Sequence, residues 1–178
     1  ITEELCGCEV SSSQVSRAAA LLDEKLEAWR NSELGEIVYL LLDARYEKVR
    51  QDGRIRDVAV LVAAGINREG HRQVLGVSVS MSEQEVHWRT FLESLVKRGL
   101  RGVELIISDD HSGLKAARLA VFGGVPWQRC QFHLQQNAQA FVPRQEMKGE
   151  VAAAIRAIFT ASSRAAADTN LRRTLLLC

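Results

Sequence analysis

Two stretches constrain this chain more than any others: IVYLLLDARY, beginning at Ile37, and VELIISDD, beginning at Val103. The first is an unbroken apolar run that ends in acid at Asp43, and the second, apolar over residues 105–107, ends in acid at Asp109. A short continuous apolar run, as opposed to an alternating one, predicts a strand buried on both faces, and such a strand requires a sheet covered by helices. A carboxylate at the end of a buried strand is held by a rigid element and still reaches solvent.

The text around these two runs extends the pattern. Residues 57–67 (DVAVLVAAGIN) and 72–80 (RQVLGVSVS) predict two further strands joined by a hairpin loop at residues 67–70, and the Asp52-Gly53 pair marks a turn before them. The three strands read as an antiparallel meander. Residues 81–100 predict a helix, with Ser82 and Glu85 as a capping box, Val86, Phe91, Leu92 and Leu95 on its apolar face, and Gly99 as its C-cap. A fourth strand at 103–110, a helix at 111–122, a short fifth strand at 125–130 and helices from 131 and 146 follow. Three strands, helix, strand, helix, strand, helices is an α/β order with an antiparallel start, as in the ribonuclease-H-like fold.

Residues 1–30 read as helical, with a turn at Gly7 and N-cap candidates at Ser11, Ser12 and Ser13. A short helix, a turn and a longer helix is the outline of a helix-turn-helix. Its charges argue against phosphate binding: Arg17, Lys25 and Arg30 face Glu3, Glu4, Glu9, Asp23, Glu24 and Glu27. The tail of a larger DNA-binding region, a packing segment and an oligomerisation segment all remain open readings.

Composition bounds the rest. At 178 residues, 47% hydrophobic and 25% charged, the chain suits a soluble domain with a sizeable core. Its 23 basic and 22 acidic residues leave a net charge of +1, so any nucleic-acid contact rests on local basic surface. No run approaches the ~20 apolar residues of a membrane helix, and no signal peptide opens the chain. It starts at Ile1, which suggests that a native start lies upstream. Cys6, Cys8, Cys130 and Cys178 match no paired zinc spacing, and a reduced, cytoplasmic protein is the simplest expectation.

Asp43 and Asp109 stand 66 positions apart and converge only if strands one and four are neighbours. Converging carboxylates bind Mg²⁺ or Mn²⁺ through oxygen, and two such ions about 4 Å apart support in-line phosphoryl transfer. The alternative is structural: Asp43 opens a turn and Asp109 caps the following helix. Cys130 and His133 form a C-x2-H pair without a second pair to complete a zinc site. Cys130 as a small buried residue and His133 as a helix histidine is the plain reading. In the extended segment after Asp43, Arg45, Glu47 and Val49 fall on one side and Tyr46, Lys48 and Arg50 on the other. The latter three are DNA-backbone candidates, or else a solvated edge.

YLLLDARYEKVR, then GINREGHRQVLGVSVS, then ISDDHSGLKAA and the WQRC segment resemble the core of Mutator-type transposases of bacterial insertion sequences. The D-[AG]-x-Y-x-K-x-R segment matches Asp43 to Arg50, the S-D-x-H-x-G-L segment Ser108 to Leu114, and the W-Q-R-C-x-x-H-x-x-x-N segment Trp127 to Asn137. The resemblance covers residue 1 to about residue 170 and implies a ribonuclease-H-like mixed sheet flanked by helices. It implies Asp43 and Asp109 as the first two catalytic, metal-binding carboxylates, with His133 and Cys130 lining the site and His133 reaching the scissile phosphate. Asp110 stands where the family usually has glycine, and alternation turns it away from Asp109. It is the helix N-terminal acid instead.

The implied activity is DNA transposition, cut-and-paste or copy-type, with Mg²⁺ or Mn²⁺ and no organic cofactor. The implied partners are transposon-end and target DNA and a further copy or an intact transposase, at the nucleoid and not at a membrane. The expected organisation is a helical segment at 1–34, the catalytic core at 35–145, and the start of a truncated helical insertion at 146–178. Enzymes of this kind need a third acid, and Glu146 and Glu150 come too early for it. The competing expectations are therefore a non-catalytic relic that binds DNA or transposase, and a different nuclease completed by Glu146 or Glu150.

Overall fold

The computed structural model describes residue 7 and residues 10–51 and 53–175. The short first helix of the expected pair, Cys6, Cys8, Asp52 and Cys178 lie outside the described residues. Five strands, β1 (Tyr39–Gln51), β2 (Arg54–Ile66), β3 (Arg72–Ser80), β4 (Leu105–Ser108) and β5 (Trp127–Arg129), form one sheet in the order β3-β2-β1-β4-β5. The first three pair antiparallel, while β4 and β5 run parallel to β1. This is the ribonuclease-H-like mixed sheet.

Helices α1 (Ser12–Arg30), α2 (Glu85–Lys97), α3 (Ser112–Phe122), α4 (Gln131–Ala140), α5 (Lys148–Phe159) and α6 (Arg164–Leu175) complete the described chain. Trp88, Phe91, Leu92 and Leu95 recur at helical spacing on α2 and are buried. With Leu114 and Ala117 of α3 they meet Leu40, Leu42, Leu61, Leu75 and Ile106 of the sheet in one core. Each large apolar side chain buried there contributes about 1.5–3 kcal/mol. By that measure α1 is weakly held, since none of its residues is buried. Its C-terminal end is tied down by Arg98, whose guanidinium donates to the carbonyls of Trp29, Ser32 and Leu75.

Several expected boundaries move. Asp43 does not end its strand: β1 continues to Gln51, paired with β2 throughout. Only the parallel pairing with β4 stops there, at Leu42 opposite Ser108, so the charged segment after Asp43 is the outer part of a long β1–β2 ribbon. The second strand correspondingly begins at Arg54, before the expected start at residue 57. The capping box at Ser82 and Glu85 does not form. The N-cap of α2 is Gln84, and Glu85, already helical, pairs with Arg89. The helix starts late because residues 83–85 pack against the first turn of α3, at Gly113. Gly99 follows the C-cap Arg98 with φ 93, in the left-handed region as expected of a glycine there. At α1 the cap is Ser11, in a capping box with Gln14.

Candidate active site

The β1–β4 register sets Asp43 and Asp109 each one residue past the last pair of the two parallel strands. Leu42 and Ser108 are paired and both are buried on the helix-covered side. Asp43 follows Leu42 within β1 and alternates to the opposite face, and Asp109 follows Ser108 just past the end of β4. Asp43 is paired with Val62 of β2 and is well exposed. Its Oδ1 accepts from the Ala44 amide at 2.9 Å, and Asp109 Oδ1 accepts from the Asp110 amide at 2.6 Å. Each carboxylate thus has one oxygen fixed by a local N–H.

His133 joins them from α4. Cys130 is the N-cap of that helix, and its amide donates to the Ser108 carbonyl at 2.6 Å, which anchors the start of α4 to the end of β4. From there His133 Nε2 comes within 3.8 Å of Asp43 Oδ1, too long for a hydrogen bond but close enough for ion pairing when the ring is protonated. The other ring nitrogen, Nδ1, is buried and has no partner among the described residues. Cys130 is a half-buried free thiol.

The two carboxylates are hard oxygen donors of the kind Mg²⁺ and Mn²⁺ prefer, and His133 adds a ring nitrogen beside them. Their free oxygens and exposed setting fit such an ion. Among the described residues, however, no group of three or more His, Cys, Asp or Glu is positioned to hold a metal, so Glu146 and Glu150 do not complete the set.

Asp110 turns away from Asp109, towards the helix-covered side. It accepts from Lys115 Nζ at 2.8 Å and lies 3.6 Å from an Arg129 amino group. The Lys115 hydrogen bond, helped by the charges of Lys115 and Arg129, holds its carboxyl below the usual carboxylate range. The cap of α3 is His111, so Asp110 sits just before the helix and not on its first turn.

The unbroken β1–β2 register sets Tyr46, Lys48 and Arg50 on the face opposite Asp43. Arg45 shares the face of Asp43 and pairs with Glu47 at 2.5 Å. Residues that pattern reading passed over hold the site together. Trp127 Nε1 donates to the buried Ser108 hydroxyl at 2.9 Å, locking β5 to β4 beside Asp109. Gly113 lets α3 approach residues 83–85 so closely that a Cβ there would lie 2.2 Å from the Glu83 carbonyl oxygen. Both residues fall within the SDxHxGL and WQRC segments, which were the available signal.

The sequence profile described as "Transposase, Mutator family" matches residues 1–175. Among curated proteins, the transposase for insertion sequence element IS406 of Burkholderia multivorans is 61% identical over 179 residues, covering 99% of this chain and 46% of its own. The transposase for ISRM5 of Rhizobium meliloti is 48% identical over 81% of this chain and 36% of its own. That for IS256 in transposon Tn4001 of Staphylococcus aureus is 39% identical over 97% of this chain and 43% of its own. The chain therefore spans less than half the length of these relatives. The catalytic core domain of the HTLV-2 integrase, solved with magnesium, aligns over 80% of this chain and 85% of its own at 11% identity and a TM-score of 0.32. That likeness is too remote to bear on the site.

Proposed function

The chain belongs to the Mutator family of transposases, and from that premise we propose that residues 35–145 form the catalytic core of an insertion-sequence transposase, with Asp43 and Asp109 as its first two carboxylates. The observation that supports this reading is the register: Asp43 and Asp109 each stand one residue past the Leu42–Ser108 pair of two adjacent parallel strands. Asp43 and Asp109 would hold Mg²⁺ or Mn²⁺ through their free oxygens. Held there, such an ion would supply charge stabilisation for in-line phosphoryl transfer. His133, close to Asp43, orients the scissile phosphate, and Cys130 positions His133 by anchoring α4.

The DNA acted on is that of the transposon ends and the target, by cut-and-paste or copy-type transposition, in company with a further copy or an intact transposase at the nucleoid. No helix of the described residues is long and apolar enough to cross a membrane. Tyr46, Lys48 and Arg50, on the far face of the β1–β2 ribbon, contact DNA flanking the reacting strand and not the reacting phosphate itself. The segment 1–34 serves packing or assembly, and residues 146–178 begin a helical insertion. The third carboxylate is neither Glu146 nor Glu150, so these 178 residues alone bind DNA and metal but do not cut.

The test is a calorimetric titration with Mn²⁺ alongside incubation with insertion-sequence-end DNA. Weak Mn²⁺ binding should disappear in Asp43→Ala and in Asp109→Ala, and no strand should be nicked. Binding that survives both substitutions overturns the carboxylate assignment. Nicking that is lost in Glu146→Ala or Glu150→Ala overturns the missing third acid.

A further inference from the structure

A second charged cluster lies on the helix-covered side of the same strand ends, and the carboxylate site makes no use of it. Trp127, held by its bond to Ser108, forms its floor. The Arg118 guanidinium lies 4.9 Å from the centre of the indole ring and Lys115 Nζ 5.9 Å from it. Arg129 completes the group from the end of β5, in register with Ser108.

The charges do not balance. Three cations share one carboxylate, Asp110, which is engaged by Lys115 and Arg129 alone. Arg118 has no carboxylate partner among the described residues, although only 9% of its surface is exposed. Its Nε and that of Arg129 are both buried without a hydrogen-bond partner among the described residues. A guanidinium presents five donors and no acceptor, and a buried one left unpaired is costly unless an anion meets it. Stacking on Trp127 recovers part of that cost and leaves the N–H edges free. The complement to such a set is an anionic group with several acceptor oxygens. Lys115 and Arg129 remain partly exposed, so an incoming group can reach them.

We propose that Lys115, Arg118 and Arg129, arranged on Trp127, bind a phosphodiester of a DNA strand, and that the Asp110 carboxylate stands in for that phosphate in the free protein. The inference rests on the reading of this chain as a transposase core, because the cluster adjoins the second carboxylate: the Asp110 amide donates to Asp109. Here the strand is gripped by its backbone and not read in sequence.

The probe is a fluorescent 12-nucleotide single strand titrated with the 178-residue protein in EDTA, with anisotropy read across a range of NaCl concentrations. Lys115→Gln with Arg129→Gln should weaken binding by roughly tenfold and lower the log–log salt slope by about 0.7 for each phosphate no longer neutralised. Asp110→Asn should tighten binding, whereas Glu146→Gln, an equal change of charge on an exposed residue away from the cluster, should not. That gain guards against a folding artefact, since a misfolded variant does not bind more tightly.

Asp110→Asn binding no better than Glu146→Gln, or a double variant with an unchanged salt slope, overturns the proposal. Inorganic phosphate that competes fully with the strand, molecule for phosphate group, overturns the backbone assignment in favour of the free ion. The strand is titrated in EDTA, whereas Mn²⁺ binding by the carboxylates is followed calorimetrically. Failure of the metal site and failure of this one are therefore read separately.

Discussion

Glycine-to-alanine substitution at the second residue of two helices should move stability in opposite directions. At Gly149 of α5 an added Cβ meets nothing within 4 Å. Alanine there gains helix propensity and restricts the unfolded chain, for about 0.5–1 kcal/mol of added stability. At Gly113 of α3 the same methyl would lie 2.2 Å from the Glu83 carbonyl oxygen, 3.0 Å from the Glu85 nitrogen and 3.1 Å from the Gln84 carbonyl carbon. The shortest of these is about 1 Å inside ordinary van der Waals contact, and every obstacle is backbone. Relief requires moving the start of α2 away from α3, through a core that already holds Trp88 and Leu114. A clash this short against backbone lies in the upper part of the overpacking range, about 2–3 kcal/mol, against at most ~1 kcal/mol of regained helix propensity, so Gly113→Ala should be destabilised by about 1–2 kcal/mol. In a chain of this length the melting temperature should fall by about 2–8 °C, and Gly149→Ala should melt a few degrees higher. Thermal and urea melts followed by circular dichroism read both. A Gly113→Ala protein as stable as the parent would refute the close approach between the two helices.

Two further outcomes follow from the strand ends. Ser108→Ala should cost about 1–3 kcal/mol in urea denaturation, because it orphans the Trp127 indole N–H. The penalty should shrink in a Trp127→Phe background, and equal penalties in both backgrounds would show that the bond contributes nothing. Asp110, whose carboxyl is held low chiefly by the Lys115 hydrogen bond, contributes stability above the unfolded carboxyl value of about 3.9 and loses it as pH falls through the lower folded value. Between pH 5 and pH 2 the urea midpoint of Asp110→Asn should therefore decline less steeply than that of the parent, and parallel declines would remove Asp110 from the account.

How much of this was legible before the coordinates depends on the range of each interaction. The strands could be read because IVYLLLD and VELIISDD carry their burial in their own composition, and the strand and helix order pointed to the ribonuclease-H-like sheet. Asp43 stood out as an acid closing an apolar run, but its place within a longer strand did not. The ribbon beyond it is held by pairing with β2, and no local feature separates a charged strand from a charged loop. Ser82 and Glu85 satisfied a capping pattern that lost to a tertiary contact at Gly113. The facing of Tyr46, Lys48 and Arg50 away from Asp43 was implicit in alternation but counted only once the register was known to be unbroken. The cluster on Trp127 was out of reach, since it joins α3 to β5 through side chains that no spacing rule relates.

The parallel pairing of β1 with β4 also bears on how the protein comes to exist. Leu42 and Ser108 are neighbours in the sheet with the whole meander and α2 between them in the chain. Closing so long a loop is entropically opposed until the intervening elements have shortened it, so non-local parallel strands join late in folding. During synthesis, β1, β2 and β3 can pair as hairpins while Asp109 is still inside the ribosome. The segments carrying Asp43 and Asp109 then come to lie on neighbouring strands only when the sheet gains its fourth strand, so the nascent chain presents the first acid long before the second.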